Sequence, residues 1–204
     1  MRLILASASP RRLALLRQIG FEPEVVAADI DETPLPEETP AALVRRLSRA
    51  KALALGPLEP DTLVLAADTV VDLDGRALGK PRDREDAVTT LLALGGREHR
   101  VLSGLCLRRA RGTHALTVVT RVRLGRVTRR QATRYVDGGE PMDKAGSYAV
   151  QGYGARFVAS LSGSYSNVVG LPLHECARLL EAAGLVAVPS AASGSSPRRA
   201  APSR

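Results

Sequence analysis

A mixed α/β fold, one central sheet flanked by helices, is what this sequence predicts. Strand-like and helix-like segments alternate through the first part of the chain, and later strand-like segments follow one another as in hairpins. Polar, glycine-punctuated loops fall at the strand ends, where such sheets build clefts.

The first element is a strand over residues 2–7, RLILAS. Ser9 and Pro10 then suit the cap and first position of a helix. Leu13, Leu16 and Ile19 share one face of that helix, and Gly20 closes it. Residues 21–40 read as irregular, with several prolines and the acidic pair Asp31-Glu32. Thr39-Pro40 repeats the cap-plus-proline start, and the helix it opens runs to about Gly56. Leu43, Leu47, Ala50 and Ala54 point inward there, with Lys51 beside that face. Val64–Ala67 suits a strand covered on both faces, and Asp72–Gly75 reads as a turn. Asp83, with Asp86 three residues on, starts a helix that stops at Gly95-Gly96. Residues 99–109 and 115–124 alternate and are rich in β-branched side chains, so both read as strands. Thr128 and Gln131 make a capping box for a helix that ends at Gly138-Gly139. After it come a polar loop over 139–146, short strands over 147–150 and 156–161, a loop over 163–172 and a last helix over 173–183. One domain over 1–185 is expected, with an Ala/Ser/Pro/Arg tail over 186–204 that should be disordered.

Composition narrows the function. No apolar run is long enough to span a membrane, and the N-terminal one is too short for a signal segment. Cys106 and Cys176 lack metal-site spacing and read as reduced core thiols of a cytoplasmic protein. His99, His114 and His174 are scattered and read as packing or surface residues. The net charge of +8 raises nucleic acid as a partner, but part of the excess lies in the tail. There is no Trp and there are only two Phe, too few for a single-strand stacking platform. A phosphate-bearing small molecule accounts for the basic side chains equally well. Of the 29 basic residues only Lys51, Lys80 and Lys144 are lysine. A chain that otherwise uses arginine marks these as places where a compact ammonium is needed.

Three places carry candidate chemistry. Asp68 interrupts an apolar run, where a carboxylate is costly unless something pairs with it or uses it. Lys80, in Gly-Lys-Pro, is the cation that could return to it. Ser7, Arg11 and Arg12 sit at a strand-to-helix junction, where free N–H groups and the positive helix end attract anions. Two arginines there oppose the helix dipole but suit the grip on a polyphosphate. Asp31-Glu32 is either an exposed loop pair or a metal or base site.

These motifs resemble, in order, those of the Maf family of nucleotide pyrophosphatases, also called septum-formation proteins. They are LILASASPRRLALL, the Asp31-Glu32 pair, RLSRAKA, VLAADTVV, LGKPRD, EPMDKAGSYAVQGYGA and GSYSNVVGLPL, and they extend from about Arg2 to Gly184. The resemblance implies a Maf/Ham1 inosine-triphosphatase-like α/β fold with two lobes around a cleft. It implies hydrolysis of nucleoside triphosphates to monophosphate and pyrophosphate with a divalent cation, Mg²⁺ or Mn²⁺. AGSYAVQGYGA is similar to the subfamily that prefers dTTP and UTP. Asp68 then matches the proton acceptor, and Arg11, Thr69 and Gln151 match positions tied to substrate choice. Ser7, Arg12, Glu32, Lys51 and Lys80 match polar cleft residues, with Glu32 and Asp68 toward the metal. Lys144 belongs to the motif without an assigned role. Alternatives are a 7-methyl-GTP pyrophosphatase and a nucleotide-sensing regulator of cell division without turnover. A homodimer is compatible with the sequence, which leaves oligomeric state open.

Overall fold

The longest apolar run of the sequence becomes the spine of the sheet. In a computed structural model, which describes residues 1–188, β1 (Arg2–Leu5) lies parallel to β3 (Thr62–Leu73), with Leu3 opposite Leu63 and Leu5 opposite Leu65. Between them run α1 (Pro10–Gln18), a two-residue strand β2 (Glu24–Val25) on the outer edge of β1, and α2 (Pro40–Leu53). The Thr39 hydroxyl caps α2 by accepting from the Ala42 N–H at 3.2 Å. Asp74 and Gly75 both have positive φ, as a two-residue type I′ hairpin turn requires, and lead into β4 (Arg76–Leu78). The Asp83 carboxylate caps α3 (Arg84–Leu94). β5 (Glu98–Arg108) and β6 (Thr113–Leu124) form a long hairpin, and the Thr128–Gln131 capping box starts α4 (Arg129–Asp137). β7 (Val158–Ser162), α5 (Tyr165–Val169) and α6 (Leu173–Ala182) complete the fold. The strand order is β2-β1-β3-β5-β6-β7, with β4 beside β3.

The mixed sheet with flanking helices is therefore as expected, but several elements differ. β3 continues through Asp68 and Thr69 to Leu73 instead of ending at the acid. Residues 147–150 form no strand. The Ala149 N–H donates to the Tyr135 hydroxyl at 3.1 Å, and short 3₁₀ turns occupy 140–143, 145–147 and 153–157. The loop over 163–172 contains α5, capped by the Ser164 hydroxyl on the Asn167 N–H. On α2 the buried face is Leu43, Val44, Leu47, Ser48, Lys51 and Ala52, while Ala54 is exposed. The tail expected to be disordered lies, from residue 189 on, outside the described residues. Ala187, inside the expected tail, still packs against the core, and the Val188 N–H donates to the Gly20 carbonyl.

Two features of β3 divide the molecule. One edge pairs with β5 from Val64 to Asp72. The other pairs with β1 over residues 62–65 and with β4 over residues 71–73, so residues 66–70 have no strand partner on that edge. The sheet is split there. On one face the side chains change character along the strand. Leu65 and Ala67 join a core with α1 and α6, Thr69 is polar, and Val71 and Leu73 join a second core with α3 and α4. Ser103, opposite Thr69, and Thr120, opposite Val101, continue this polar belt across β5 and β6. Two apolar cores separated by the half-buried Thr69 and the buried Ser103 and Thr120 hydroxyls are the physical origin of two lobes.

On the opposite face α2 lies directly on the sheet. A methyl group on Gly104, opposite Asp68, would fall against the Val44 carbonyl and 2.9 Å from the Ser48 hydroxyl. Only glycine allows this approach. Gly104→Ala should therefore lower the unfolding free energy by about 1–3 kcal/mol, as overpacking does. Gly79→Ala, where the added methyl meets nothing within 4 Å, should stay within about 0.5 kcal/mol. Equal thermal midpoints for the two variants would mean that α2 is not seated by Gly104.

Candidate active site

The split in the sheet opens into a cleft of about 790 Å³. Nine of the residues singled out from the sequence line it: Ser7, Arg11, Arg12, Glu32, Lys51, Asp68, Thr69, Lys80 and Gln151, whereas Asp31 lies outside it and accepts the Thr33 N–H. They come from α1 and the loop before it, the loop before α2, α2, β3, the segment after β4 and the loop between α4 and β7. Asp68 and Thr69 point to opposite faces of β3, and the unpaired edge lets both reach the same space.

Asp68 is buried, with 8% of its surface exposed, and Lys51 matches it at 7%. The Lys51 ammonium stands 2.6 Å from Asp68 Oδ1 and 2.7 Å from Glu32 Oε1, so one cation bridges two carboxylates. The cation nearest Asp68 is thus Lys51 and not Lys80. Burial lifts the Asp68 carboxyl above its ordinary range, and the charges of Lys51 and Arg12 only partly offset that. Glu32 moves the other way. Its partial burial disfavours ionisation, but the Lys51 hydrogen bond and the charges of Lys51, Lys80 and Arg12 together outweigh it. Two neighbouring carboxylates are thereby pushed apart, one toward base behaviour and one toward a fixed negative charge.

Arg12 folds back from the first turn of α1 into the polar belt. Its guanidinium donates to the Gly170 carbonyl at 2.9 Å, the Ser7 hydroxyl at 3.1 Å and the Thr69 hydroxyl at 3.3 Å. Thr69 also touches the Ser103 hydroxyl at 2.7 Å. These partners are all neutral, so Arg12 keeps its charge for the cleft. Ser9, Pro10 and Arg11 at the start of α1 line the same wall. Ser9 does not cap α1 with its side chain. Its own N–H donates to the Ser7 hydroxyl instead.

At the mouth, Arg11 donates to Asp143 Oδ2 at 2.7 Å, and Lys144 pairs with the other oxygen of the same carboxylate. Burial works against ionisation of Asp143, but Lys144 and Arg11 together hold its pKa down at about 2. All three lysines of the chain line this one cleft. Glu140 and Asp143 also line it, although sequence reading assigned them no role. The lysine bias pointed to their neighbour Lys144, and nothing local pointed to them. The His99 ring is buried against Tyr148, with Nε2 2.8 Å from the tyrosine hydroxyl. Burial pushes its pKa down to about 4, which fits packing rather than catalysis.

Hard oxygen donors, several ammonium and guanidinium groups and a buried carboxylate suit chemistry on a polyphosphate. Comparison with known proteins agrees. Residues 2–183 match the family described as Maf-like protein. A dTTP/UTP pyrophosphatase of Anaeromyxobacter dehalogenans (strain 2CP-C) is 52% identical over 187 residues, covering 90% of this chain and 94% of that protein. One from Symbiobacterium thermophilum is 48% identical over 181 residues, covering 88% and 92%. Among solved structures, the Staphylococcus aureus Ham1 protein aligns with a TM-score of 0.42 and 18% identity, covering 61% of this chain and 72% of that one, and adds nothing to the assignment. On the extent of the family match and the identity of these relatives, the chain belongs to the Maf family.

Proposed function

We propose that this chain hydrolyses dTTP and UTP to the nucleoside monophosphate and pyrophosphate, with Asp68 as proton acceptor. The observation that carries this reading is the buried Asp68 carboxylate, raised in pKa, in a cleft faced by Arg11, Arg12, Lys51 and Lys80. The relatives at about half identity that bear the name dTTP/UTP pyrophosphatase support the substrate.

The attacking water oxygen forms a bond to the α-phosphorus, and the bond from that phosphorus to the bridging oxygen breaks. Pyrophosphate leaves with the electron pair, and the water's proton passes to Asp68. A base works best when its pKa lies near the operating pH, and burial moves Asp68 in that direction. Arg11, Arg12, Lys51 and Lys80 hold the phosphates and stabilise charge in the transition state. Gln151 is exposed in the cleft and has no side-chain hydrogen bond among the described residues. Its amide offers one donor edge and one acceptor, as reading a pyrimidine requires.

A divalent cation, Mg²⁺ or Mn²⁺, fits this donor set. Among the described residues no group of three or more His, Cys, Asp or Glu could hold a metal by itself. Glu32 and Asp68 supply two hard carboxylates, and magnesium sites commonly combine one or two carboxylates with substrate phosphates. Five cationic side chains in the cleft face four carboxylates, a small excess against a triphosphate's several charges. Such a metal would neutralise phosphate charge when bound. No helix of the described residues is long and apolar enough to cross a membrane, and both cysteines are free and buried, which supports a cytoplasmic location.

Asp68→Asn should lower pyrophosphate release from dTTP and UTP by about 10²–10⁴-fold while nucleotide binding persists. Comparable turnover in the variant would remove Asp68 from this role, and a wild-type preference for 7-methyl-GTP would move the substrate. Asp68 must be ionised to accept a proton, so the rate should fall as pH drops through its raised pKa. Lys51→Met removes the adjacent cation and should shift that acid limb upward by roughly one to three pH units. Carboxyl ¹³C titration of Asp68 checks this without turnover, and an unmoved or lowered midpoint would contradict the pairing.

A further inference from the structure

We infer that Tyr135 and Glu140 form a clamp that positions Gln151, and so set nucleobase selection without touching the base. The inference rests on the proposed reading of Gln151. The residues on both sides of Gln151 are held by one hydrogen-bonded pair. Before it, the Ala149 N–H donates to the Tyr135 hydroxyl at 3.1 Å. The Tyr135 hydroxyl donates to Glu140 Oε1 at 2.6 Å. After it, the Glu140 carboxylate accepts the Tyr153 N–H at 2.9 Å and the Gly154 N–H at 3.1 Å.

The chain over 149–154 is therefore tied at both ends to α4 and the turn after it. Gln151 stands at the apex with its amide uncommitted. Gly152 makes the wrap possible, since a methyl group there would lie 2.5 Å from Glu140 Oε2. The carboxylate cannot easily move aside, because three donors fix it. The Tyr135 ring is anchored in turn, stacked on Tyr153 and edge-on to Phe157. Residues 149–154 belong to no strand, so sheet hydrogen bonds do not supply this rigidity. A side chain that reads a base must be held to fractions of an ångström, and a misplacement of about 1 Å can cost roughly 10²-fold.

The test compares wild type with Tyr135→Phe, Glu140→Gln, Gly152→Ala and Gln151→Ala. Specificity constants are measured for dTTP, UTP, CTP and GTP, together with inhibition by inorganic tripolyphosphate, which reports the phosphate site alone. The clamp variants should each lower the preference for dTTP and UTP roughly tenfold, mainly through KM, and Tyr135→Phe and Gly152→Ala, which leave the cleft charges unchanged, should shift the tripolyphosphate inhibition constant less than about twofold. Tyr135→Phe combined with Gln151→Ala should be no less selective than Gln151→Ala alone, because the clamp acts through that residue. Unchanged selectivity in folded variants, additive effects in the double variant, or an equal loss of tripolyphosphate inhibition would each overturn the proposal. Gly152→Ala keeps both clamp residues and disturbs only how the loop seats on the Glu140 carboxylate, so it decides the matter if Tyr135→Phe does not fold. A wild type without turnover would instead sink the pyrophosphatase reading, and the clamp would then be read from the dissociation constants of the same nucleotides.

Discussion

A carboxylate held in the middle of a twelve-residue strand is the constraint on which the rest depends. Asp68 is buried, and a buried charge must be paired and reachable or it will take up a proton. The fold meets both needs at once. β1 and β4 share one edge of β3 but stop short of each other, so the strand is continuous on the β5 side and open at Asp68. Gly104 has no side chain, so α2 sits close on the sheet and Lys51 reaches the acid. Either device alone would fail. A filled edge would leave the ion pair inaccessible, and a more distant helix would leave the carboxylate unpaired.

The electrostatics of the cleft divide the cations by partner. Lys51 is committed to two carboxylates and Arg11 to Asp143, whereas Arg12 is held only by neutral oxygens. A polyphosphate therefore meets two cations without a carboxylate partner among the described residues, Arg12 and Lys80, and others that must exchange carboxylate oxygens for phosphate oxygens. Such exchange has a modest net cost where the pairs are exposed, as at Asp143, and a larger one at the buried Lys51–Asp68 pair. The mouth is thus the easier part to rearrange and the floor the harder, which suits a site that must admit substrate yet keep the proposed base in place.

Legibility in the sequence followed the range of each interaction. Helix starts were readable because Thr39, Asp83 and Thr128 act on N–H groups three residues away. Arg11 and Arg12 were readable because they oppose the local helix dipole, and Asp68 because an acid broke an apolar run. Lys51 was readable only in part. Its place on the buried face of α2 shows when the face is drawn through Val44 and Ser48 and not through Ala50 and Ala54. Gly104 carried no local sign, since its reason is a backbone carbonyl on another element. Asp143 was equally silent, because its partner Arg11 is 132 residues away. Residues 147–150 have strand composition, but the Ala149 N–H goes to the Tyr135 side chain on α4 and the Ser147 N–H to the Lys144 carbonyl, which no periodicity reveals.

The two walls of the cleft are built by different physics, and this bears on how one scaffold could change its nucleotide. Most of the proposed phosphate wall stands on α1, α2 and β3, where burial, sheet pairing and helix packing fix Arg12, Lys51 and Asp68, and Lys80 joins it from the segment after β4. Substitutions there disturb the cores and the base together. The wall carrying Gln151 is a loop without sheet pairing, fixed by a few hydrogen bonds to one carboxylate and one hydroxyl. A handful of bonds worth about 1 kcal/mol each can be exchanged without unfolding a domain. On the proposed reading, selectivity can then vary by changes around Gln151, while Arg12, Lys51 and Asp68 stay on packed elements. The separation follows from where the cores end, since the polar belt across Thr69, Ser103 and Thr120 divides the core of α1 and α6 from the core of α3 and α4, whose Tyr135 and Phe157 stand beside the loop proposed to read the base.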